Sequence, residues 1–267
     1  MAFPRFYFLS DEELLEILSH SKELAILQKH VGKCFEGANQ LLIEEEINIK
    51  ALFSPEKETL ILKKEVKITG KVEQWLSKLE NNIFKTMEQT LTEAEIDLKT
   101  TERINWLFKW PGQVVLVINS LDWTMKIEMR LNDNIKLKEF YDESSKNLIN
   151  IVDSVRSDHS KLQRQTLESL VTIDVHNRDV LEELIKQNTV KSADFLWQAQ
   201  MRYYMSNNNP LSVHMIYASR TYGFEYLGNT TRLVITPLTA RCFRTLFSAY
   251  YLSYGGGPEG PAGTGKA

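Results

Sequence analysis

The sequence predicts a mainly α-helical fold with one small β-hairpin. Apolar residues recur every three or four positions over long stretches, which is the spacing of one face of a helix. No glycine or proline occurs from Gln113 to Asn209, so the usual helix-breaking residues are missing there. Apolar residues that alternate with polar ones on both sides of a Ser54-Pro55-Glu56-Lys57 turn predict the hairpin.

Length and composition are those of a folded protein. The chain has 267 residues, of which 43% are hydrophobic and 10% aromatic, enough for a substantial core. Its 32 basic and 35 acidic residues are spread along the chain, and the net charge of -3 does not indicate a nucleic-acid surface. No apolar run is long enough to cross a bilayer, and no signal-peptide core follows Met1. We therefore expect an intracellular protein that contacts neither nucleic acid nor membrane.

The N-terminal stretch predicts a capped helix. Ser10 and Glu13 have the spacing of a capping box, so a helix should begin at about Asp11. Its expected apolar face consists of Leu14, Leu15, Ile17 and Leu18. The aromatic residues before it are expected to pack against the helix start; they are Phe3, Phe6, Tyr7 and Phe8.

The hairpin and a long amphipathic helix come next. Residues Ile47 to Ala51 and Thr59 to Ile68 have the alternation of two strands. After Gly70, apolar residues at helical spacing predict one buried stripe, made of Val72, Trp75, Leu76, Leu79, Ile83, Met87 and Leu91.

The middle of the chain predicts a buried junction and then a bundle. Tryptophans flank Pro111-Gly112 and the apolar run Val114 to Ile118, which favours packing between helices over an aromatic ligand box. The glycine-free stretch continues the helical rhythm through Leu148, Ile151, Val152, Val155, Leu162, Leu170, Ile173, Val180, Leu181, Leu184 and Ile185. His159 and His176 lack the neighbours of a metal site and are expected on solvated helix faces. Cys34 and Cys242 have no metal-binding spacing.

The last fifth of the chain differs in composition. Asn207 to Pro210 ends the glycine-free stretch, and a domain boundary is expected near residue 220. The apolar run Leu233-Val234-Ile235 is expected to be extended and to precede a helix from Arg241 to about Tyr250.

The final residues match a phosphate-binding loop at all positions but one. Gly260, Gly265 and Lys266 have the spacing G-x-x-x-x-G-K, while Ala267 replaces the hydroxyl residue. Glycines allow successive backbone N–H groups to surround phosphate oxygens, and the lysine reaches the terminal phosphates. The alternative is a flexible tail, because glycine and proline are also common at chain ends.

Several of these segments together resemble the dynein heavy chains, which are microtubule motors. The segments similar to the family's linker are Phe3 to Ser10, Glu12 to Leu18, Trp110 to Leu116, Trp123-Thr124, and Asp194-Phe195 through Gln200 to Tyr204. Those similar to the entry into its first AAA+ module are Tyr226 to Asn229, Arg232 to Thr239, Arg241-Cys242 and Gly260 to Lys266. Phe8-Leu9-Ser10 has the form of the axonemal branch. The resemblance covers essentially the whole chain.

The resemblance implies a two-part organisation. Residues 1–220 would form an elongated helical-bundle linker, and residues 221–267 the truncated N-terminal part of an α/β AAA+ P-loop module. The phosphates of ATP would be bound by Gly260, Pro261, Ala262, Gly263, Thr264, Gly265 and Lys266. The base would be surrounded by Leu233, Val234, Ile235, Pro237 and Leu238. Removing residues 221–267 is expected to leave the thermal transition of the helical part nearly unchanged.

The resemblance also implies a function. The parent motor hydrolyses ATP with Mg²⁺ and swings its linker as a lever, which drives movement along microtubules. Its implied location is the cytoplasm and cytoskeleton, in the axoneme of a cilium or flagellum. Its implied partners are the rest of the motor ring and, through parts of the family outside this chain, microtubules and dynein intermediate and light chains.

Two positions depart from the family pattern. Ala240 stands where the family usually has Asp, and Ala267 where it has Thr. Ala267 cannot supply the hydroxyl that coordinates Mg²⁺. No Walker-B strand comes after the loop, so this chain alone is expected not to hydrolyse ATP. The alternative function is a non-catalytic helical interaction or structural fragment that binds no ATP; an unrelated P-loop ATPase or kinase is a more distant one.

Overall fold

A computed structural model describes residues 3–19, 23–133, 137–189, 191–206 and 209–261. The chain divides into two compact units. The first comprises residues 1–118, 159–166 and 223–231, and the second comprises residues 119–158, 167–222 and 232–267. Helices dominate the described residues, which confirms the mainly α prediction. The boundary between the proposed modules at residues 220 and 221 stays a prediction.

The N-terminal elements of the first unit are a 3₁₀ turn (Pro4–Phe8), α1 (Asp11–Ser19) and α2 (Leu24–Cys34). The predicted capping box is confirmed. The backbone N–H of Ser10 donates to Glu13 Oε2 at 3.1 Å, and that of Glu13 donates to Ser10 Oγ at 3.3 Å. These two bonds satisfy donors that the first turn of a helix leaves open, so α1 begins where the sequence predicts.

The predicted apolar faces around α1 are only partly buried. Phe3, Phe6 and Ile17 lie in the core, as expected. Tyr7, Phe8, Leu15 and Leu18 are exposed, so their assignment to packing is wrong for this structure. Helical spacing shows which residues share a face, but burial also requires a neighbouring element to cover the face.

The predicted hairpin is confirmed as part of a three-stranded antiparallel sheet. Its strands are β1 (Gln40–Glu44), β2 (Asn48–Phe53) and β3 (Thr59–Lys67), in that order. The turn between β2 and β3 is closed by Ser54, whose N–H donates to the Glu58 carbonyl oxygen at 2.9 Å and whose hydroxyl accepts from the Glu58 N–H at 3.1 Å. Strand β1 was not predicted.

The long amphipathic helix is α3 (Val72–Leu98), and all seven residues of its predicted stripe are buried. It packs on β3 and is followed by α4 (Arg103–Lys109) and α5 (Gly112–Asn132). The Trp106 indole N–H donates to the Ala94 carbonyl oxygen at 2.9 Å, and the run Val114 to Ile118 is buried. The predicted junction of packed helices is therefore confirmed.

Two further long helices occupy the glycine-free stretch, α6 (Leu137–Val155) and α7 (Lys161–Lys186), followed by the short α8 (Phe195–Gln198). A core cluster in the second unit consists of Trp123, Ile127, Leu131, Leu137, Phe140, Val180, Leu181, Leu184 and Trp197. Val152, which continues the predicted helical rhythm in α6, is exposed.

A second antiparallel sheet corrects the prediction of helices through Asn209. Its strands are β4 (Arg202–Ser206), β5 (Asn209–Met215) and β6 (Ala218–Thr221), in that order. Missing glycine and proline permit a helix but do not require one. Tyr203 and Tyr204 are aromatic residues that favour strands, and Tyr203 pairs with Val213 across the ladder.

The last described helix, α9 (Pro237–Tyr251), begins four positions before the predicted start at Arg241. Thr236 is its N-cap, and Pro237 occupies the first helical position, where proline needs no hydrogen-bond acceptor. The segment Leu233-Val234-Ile235, expected to be strand-like, has no regular secondary structure. No parallel sheet occurs in the described part of the chain, so the α/β character of the module stays a prediction.

Candidate nucleotide-binding segment and the connector before it

Most of the predicted phosphate loop lies outside the described residues. Ala262, Gly263, Thr264, Gly265, Lys266 and the departing Ala267 all belong to that part of the sequence. Gly260 and Pro261 are described and exposed. The assignment of phosphate binding to this loop therefore stays a prediction.

The predicted base-binding residues lie directly before α9 and in its first turn. Leu233, Val234 and Leu238 are exposed large apolar residues, Pro237 is also exposed, and Ile235 is half-buried. An adenine ring binds where apolar side chains enclose it. These side chains are thus available to a ligand or to further protein, and their role stays a prediction.

The start of α9 is well capped although the helix buries none of its residues. The N–H of Thr239 donates to Thr236 Oγ1 at 3.2 Å, and the N–H of Thr236 donates to Thr239 Oγ1 at 2.6 Å. Ala240, where the family pattern has Asp, lies in the first turn and is half-buried. A carboxylate there would interact favourably with the positive end of the helix dipole, whereas the methyl group of alanine makes no such interaction.

The end of α9 contacts the second sheet. Arg220 of β6 donates through Nη2 to the carbonyl oxygens of Tyr250 at 2.7 Å and Tyr251 at 3.1 Å. The ring of Tyr251 also lies 6.1 Å from that of Tyr217. A cation at this end satisfies carbonyls that the helix leaves open and complements its dipole. Arg220 therefore anchors the helix that leads towards the predicted loop.

Residues Gly223 to Thr231, which we call the connector, lead from the second sheet to the base-binding segment. They have no regular secondary structure, yet Tyr226 is 2% exposed and Asn229 is 1% exposed. Buried backbone of this kind needs partners outside a helix or sheet. Those partners come from four other parts of the first unit, and we call them together the socket: Gly37, Ser54, Glu58, Gly112, Gln113 and Thr166.

Two glycines of the socket let the connector approach closely. A Cβ atom on Gly37 would lie 2.2 Å from the carbonyl oxygen of Tyr226, and one on Gly112 would lie 2.5 Å from Cγ of Asn229. The connector's own Gly228 has φ +73°, and a Cβ atom added to it would lie 3.0 Å from Cβ of Ser54. Larger residues at these positions would overlap neighbouring atoms.

Glu58 is the charged member of the socket. Its Oε1 accepts from the backbone N–H of Gly112 at 2.7 Å, and its Oε2 accepts from the Tyr226 hydroxyl at 2.7 Å. Burial raises the pKa of Glu58, while the hydrogen bonds from Gly112 and Tyr226 oppose the shift. Burial and the adjacent Glu58 raise the pKa of Tyr226, which keeps its hydroxyl protonated as a donor.

Gln113 binds the backbone of the connector with both ends of its side-chain amide. Its Nε2 donates to the Glu225 carbonyl oxygen at 2.7 Å, and its Oε1 accepts from the Leu227 N–H at 2.8 Å. Alternate backbone groups of an extended strand are bonded in the same way by a neighbouring strand. The buried Gln113 thus takes the place of a strand partner.

The other end of the connector is fixed by α7. Asn229 donates through Nδ2 to Thr166 Oγ1 at 2.8 Å, and its carbonyl oxygen accepts from the side chain of Gln165. Near the start of the connector, Glu225 accepts from Arg5, which also donates to Glu80 Oε1 at 2.6 Å. The connector is therefore held in the first unit at both ends and in its middle.

The close approach at Gly37 makes a direct prediction. Gly37→Ala is expected to lower the free energy of unfolding of the first unit by about 2–3 kcal/mol, because its Cβ would meet backbone atoms of Tyr226 that cannot rotate away. Hydrogen exchange of the α3 amides measures this loss. The control is Gly32→Ala in α2, where the nearest atom is the Ala38 carbonyl oxygen at 3.6 Å. Equal stability of the two variants would contradict the prediction.

The remaining candidate residues are the histidines and cysteines. Among the described residues, no group of three or more His, Cys, Asp or Glu side chains could hold a metal ion.

The side chains of Cys34, His159 and His176 are at least partly covered. Burial raises the pKa of the Cys34 thiol to about 11, which makes this thiol unreactive. His176 is half-buried, and burial lowers its pKa. His159 is also half-buried, lies outside a helix and packs on Phe108 with ring centroids 5.0 Å apart, so neither histidine lies on a fully solvated helix face. None of the described helices has the length and apolar character of a membrane span.

The socket was not identified from the sequence. Gly112 and Gln113 stand out only within the linker-like segment Trp110 to Leu116, and Tyr226 to Asn229 of the connector only through the same family resemblance. Glu58 and Gln113 are ordinary polar residues in sequence and are brought to the connector across 168 and 112 positions. A local pattern carries no signal for contacts of such separation.

Two protein-family models match the chain. "Dynein heavy chain, N-terminal region 2" matches residues 1–94. "Hydrolytic ATP binding site of dynein motor region" matches residues 222–267, which begin just before the connector.

Curated relatives match along nearly the whole chain. Dynein axonemal heavy chain 12 of Homo sapiens is 45% identical over 268 residues, which cover 99% of this chain and 9% of the relative. Dynein axonemal heavy chain 1 of Rattus norvegicus is 42% identical and dynein axonemal heavy chain 3 of Mus musculus 43% identical, each covering 99% of this chain and 6% of the relative. The chain thus spans less than a tenth of the length of these relatives.

Proposed function

This chain belongs to the dynein heavy chain family, and we propose that it joins the lever of an axonemal dynein to the start of the motor's ATP site. Residues 1–220 would form part of the linker, and residues 221–267 the first part of the first AAA+ module. The order of the two family matches on one chain carries this proposal: the N-terminal region at residues 1–94 precedes the ATP-site region at residues 222–267.

The geometry of the first unit supports a mechanical role for residues before the loop. A lever transmits force only if its connection to the ATP site is held rigidly. The connector is bonded at Glu225, Tyr226, Leu227 and Asn229 by side chains of the same unit. A flexible tether would leave these groups to water.

The proposed chemistry is that of a P-loop ATPase. Backbone N–H groups of the loop from Gly260 to Gly265 would surround the phosphates, and the ammonium group of Lys266 would neutralise their charge. The apolar side chains from Leu233 to Leu238 would cover one face of the base. ATP supplies the phosphoryl group that is transferred to water. We assign no Mg²⁺ ligand to this chain, because Ala267 has no side-chain oxygen at the position that needs one.

The proposed partners and location are those of the family. The relatives are named as axonemal, and we extend this location to the present chain as part of the cytoskeleton in a cilium or flagellum. The rest of the motor ring would contact the exposed base-binding segment and α9. Microtubules and the intermediate and light chains would be bound by other parts of the heavy chain.

The role of the loop is tested with a single lysine. In a heavy chain that carries this segment, Lys266→Ala is expected to reduce the ATPase rate and the ATP-dependent movement of microtubules by about 100-fold or more, because the phosphate charge loses its main compensation. Both rates are measured on the purified motor.

Lys146→Ala is the matched control, since Lys146 is an exposed lysine of α6 and its replacement removes the same charge elsewhere. Its rates should equal those of the unmodified motor. Retention of full ATPase activity in Lys266→Ala would show that the hydrolytic site lies elsewhere, and would favour the alternative of a structural segment without ATP binding.

A further inference from the structure

We propose that Glu58 is a positioning residue which, together with Tyr226, fixes the connector in one register and thereby couples the lever to the nucleotide segment. This inference rests on the proposed function and adds to it the residues that carry the coupling. Glu58 lies in the turn between β2 and β3, far in sequence from both the loop and the base-binding segment.

The chemistry of Glu58 is unusual for a tight turn. It is buried, and a buried carboxylate is unfavourable unless its oxygens are bonded. An apolar side chain of similar size would fill the same space without that penalty. What the carboxylate adds is geometry, because its two oxygens hold two donors, Gly112 N–H and Tyr226 O–H, each at 2.7 Å. The start of α5 and the connector are thus fixed to one rigid group.

The same contacts exclude a shifted connector. A slip by one residue would bring either Leu227 or Glu225 to Glu58 in place of Tyr226. Leucine offers no donor, and glutamate would place a second negative charge against a buried one. The slip would also place a residue other than Gly228 beside Ser54, although a Cβ atom at that position would lie only 3.0 Å from Cβ of Ser54. One register is therefore strongly preferred.

The register matters because the base-binding segment comes almost directly after the connector. Leu233, the first predicted base-binding residue, lies two positions beyond Thr231. A backbone segment this short has little freedom to absorb a displacement, since each residue extends the chain by no more than about 3.6 Å. The register at Tyr226 thus sets which residue leaves the first unit directly before the base-binding segment.

The local part of the proposal is tested in the 267-residue chain by hydrogen exchange. Tyr226→Phe removes one hydroxyl without changing the ring, and Glu58→Ala removes both acceptors. We expect amides of residues 223–231 to exchange about tenfold faster in each variant, while the α3 amides keep their rates. Glu58→Gln should retain near-normal rates, because its oxygen accepts from Gly112 and its amide can donate to the Tyr226 hydroxyl oxygen.

Glu65→Gln is the control, since Glu65 is a half-exposed carboxylate on β3 of the same sheet. In this variant the amides of residues 223–231 should exchange at the same rate as in the unmodified chain. If the α3 amides of Glu58→Ala also exchange faster, the whole unit has opened, and Tyr226→Phe alone decides the question. Unchanged exchange of residues 223–231 in Tyr226→Phe would overturn the proposal.

The coupling is tested in a heavy chain that carries the same substitutions. Tyr226→Phe is expected to keep the ATPase kcat within about twofold while microtubule gliding slows about tenfold, and Glu58→Gln should glide at nearly the unmodified velocity. A purely structural role would lower both rates together. Equal velocity per ATP hydrolysed in Tyr226→Phe and the unmodified motor would overturn the inference. Absence of any ATP-dependent movement in the unmodified motor would instead overturn the proposed function, whatever the exchange rates.

Discussion

A chain shortened to residues 1–222 is expected to have a first unit less stable by about 4 kcal/mol than that of a chain of residues 1–231. The shorter chain loses the connector, whose Tyr226 is almost completely buried. It also leaves Glu58 without the Tyr226 hydroxyl and Gln113 without the two backbone groups it binds. The free energy of opening, measured by hydrogen exchange of the α3 amides, gives the difference directly.

The two truncated chains are matched, because both lack α9 and all residues from 232 onward. A chain of 1–231 that is no more stable than 1–222 would show that the connector lies on a core complete without it. The expected loss of stability is the opposite of what the sequence predicts, namely that removing residues 221–267 leaves the thermal transition of the helical part nearly unchanged. The structure changes that expectation because residues 223–231 pack in the first unit.

Trp197→Ala is expected to destabilise the second unit by about 4 kcal/mol, because it removes a large, fully buried side chain and leaves a cavity. The Trp197 ring packs on Trp123 with centroids 5.2 Å apart, and its Nε1 donates to Glu128 Oε1 at 3.1 Å. Urea unfolding followed by hydrogen exchange of the α7 amides from residue 167 onward measures the loss.

Phe195→Ala is the control for this substitution. Phe195 lies on the same short helix, but its side chain is 67% exposed. Its removal should change stability by less than about 0.5 kcal/mol. A similar loss in both variants would mean that α8 itself, and not the buried ring of Trp197, stabilises the cluster.

The elements that were predicted well are those defined by neighbouring residues. The stripe of α3 from Val72 to Leu91 is buried as its spacing predicts, since residues three and four apart share a helix face. The Ser10 capping box and the hairpin around Ser54 are confirmed for the same reason, because each depends on hydrogen bonds within a few positions. Leu15 and Leu18 have the same helical spacing but are exposed, so spacing alone does not predict which residues are buried.

Family membership also comes from local information. The ordered segments that resemble dynein heavy chains are confirmed by both family models and by relatives at 42% to 45% identity. Ordered motifs are legible in sequence because their residue types are required by chemistry at fixed spacing. The roles of Gly260 to Lys266 and of Leu233 to Leu238 remain predictions of this kind.

The helical class, the caps and turns, the family and the candidate phosphate loop could be predicted from the amino-acid sequence, because each depends on residues close together in the chain. The contacts of Gly37, Glu58, Gln113 and Thr166 with the connector, and the sheet formed by β4 to β6, became evident only in the folded chain. Buried polar groups must find partners wherever the fold places them. Which partners they find depends on packing between residues far apart in the chain, such as Thr166 and Asn229 at a separation of 63 positions, and local spacing does not encode such distances.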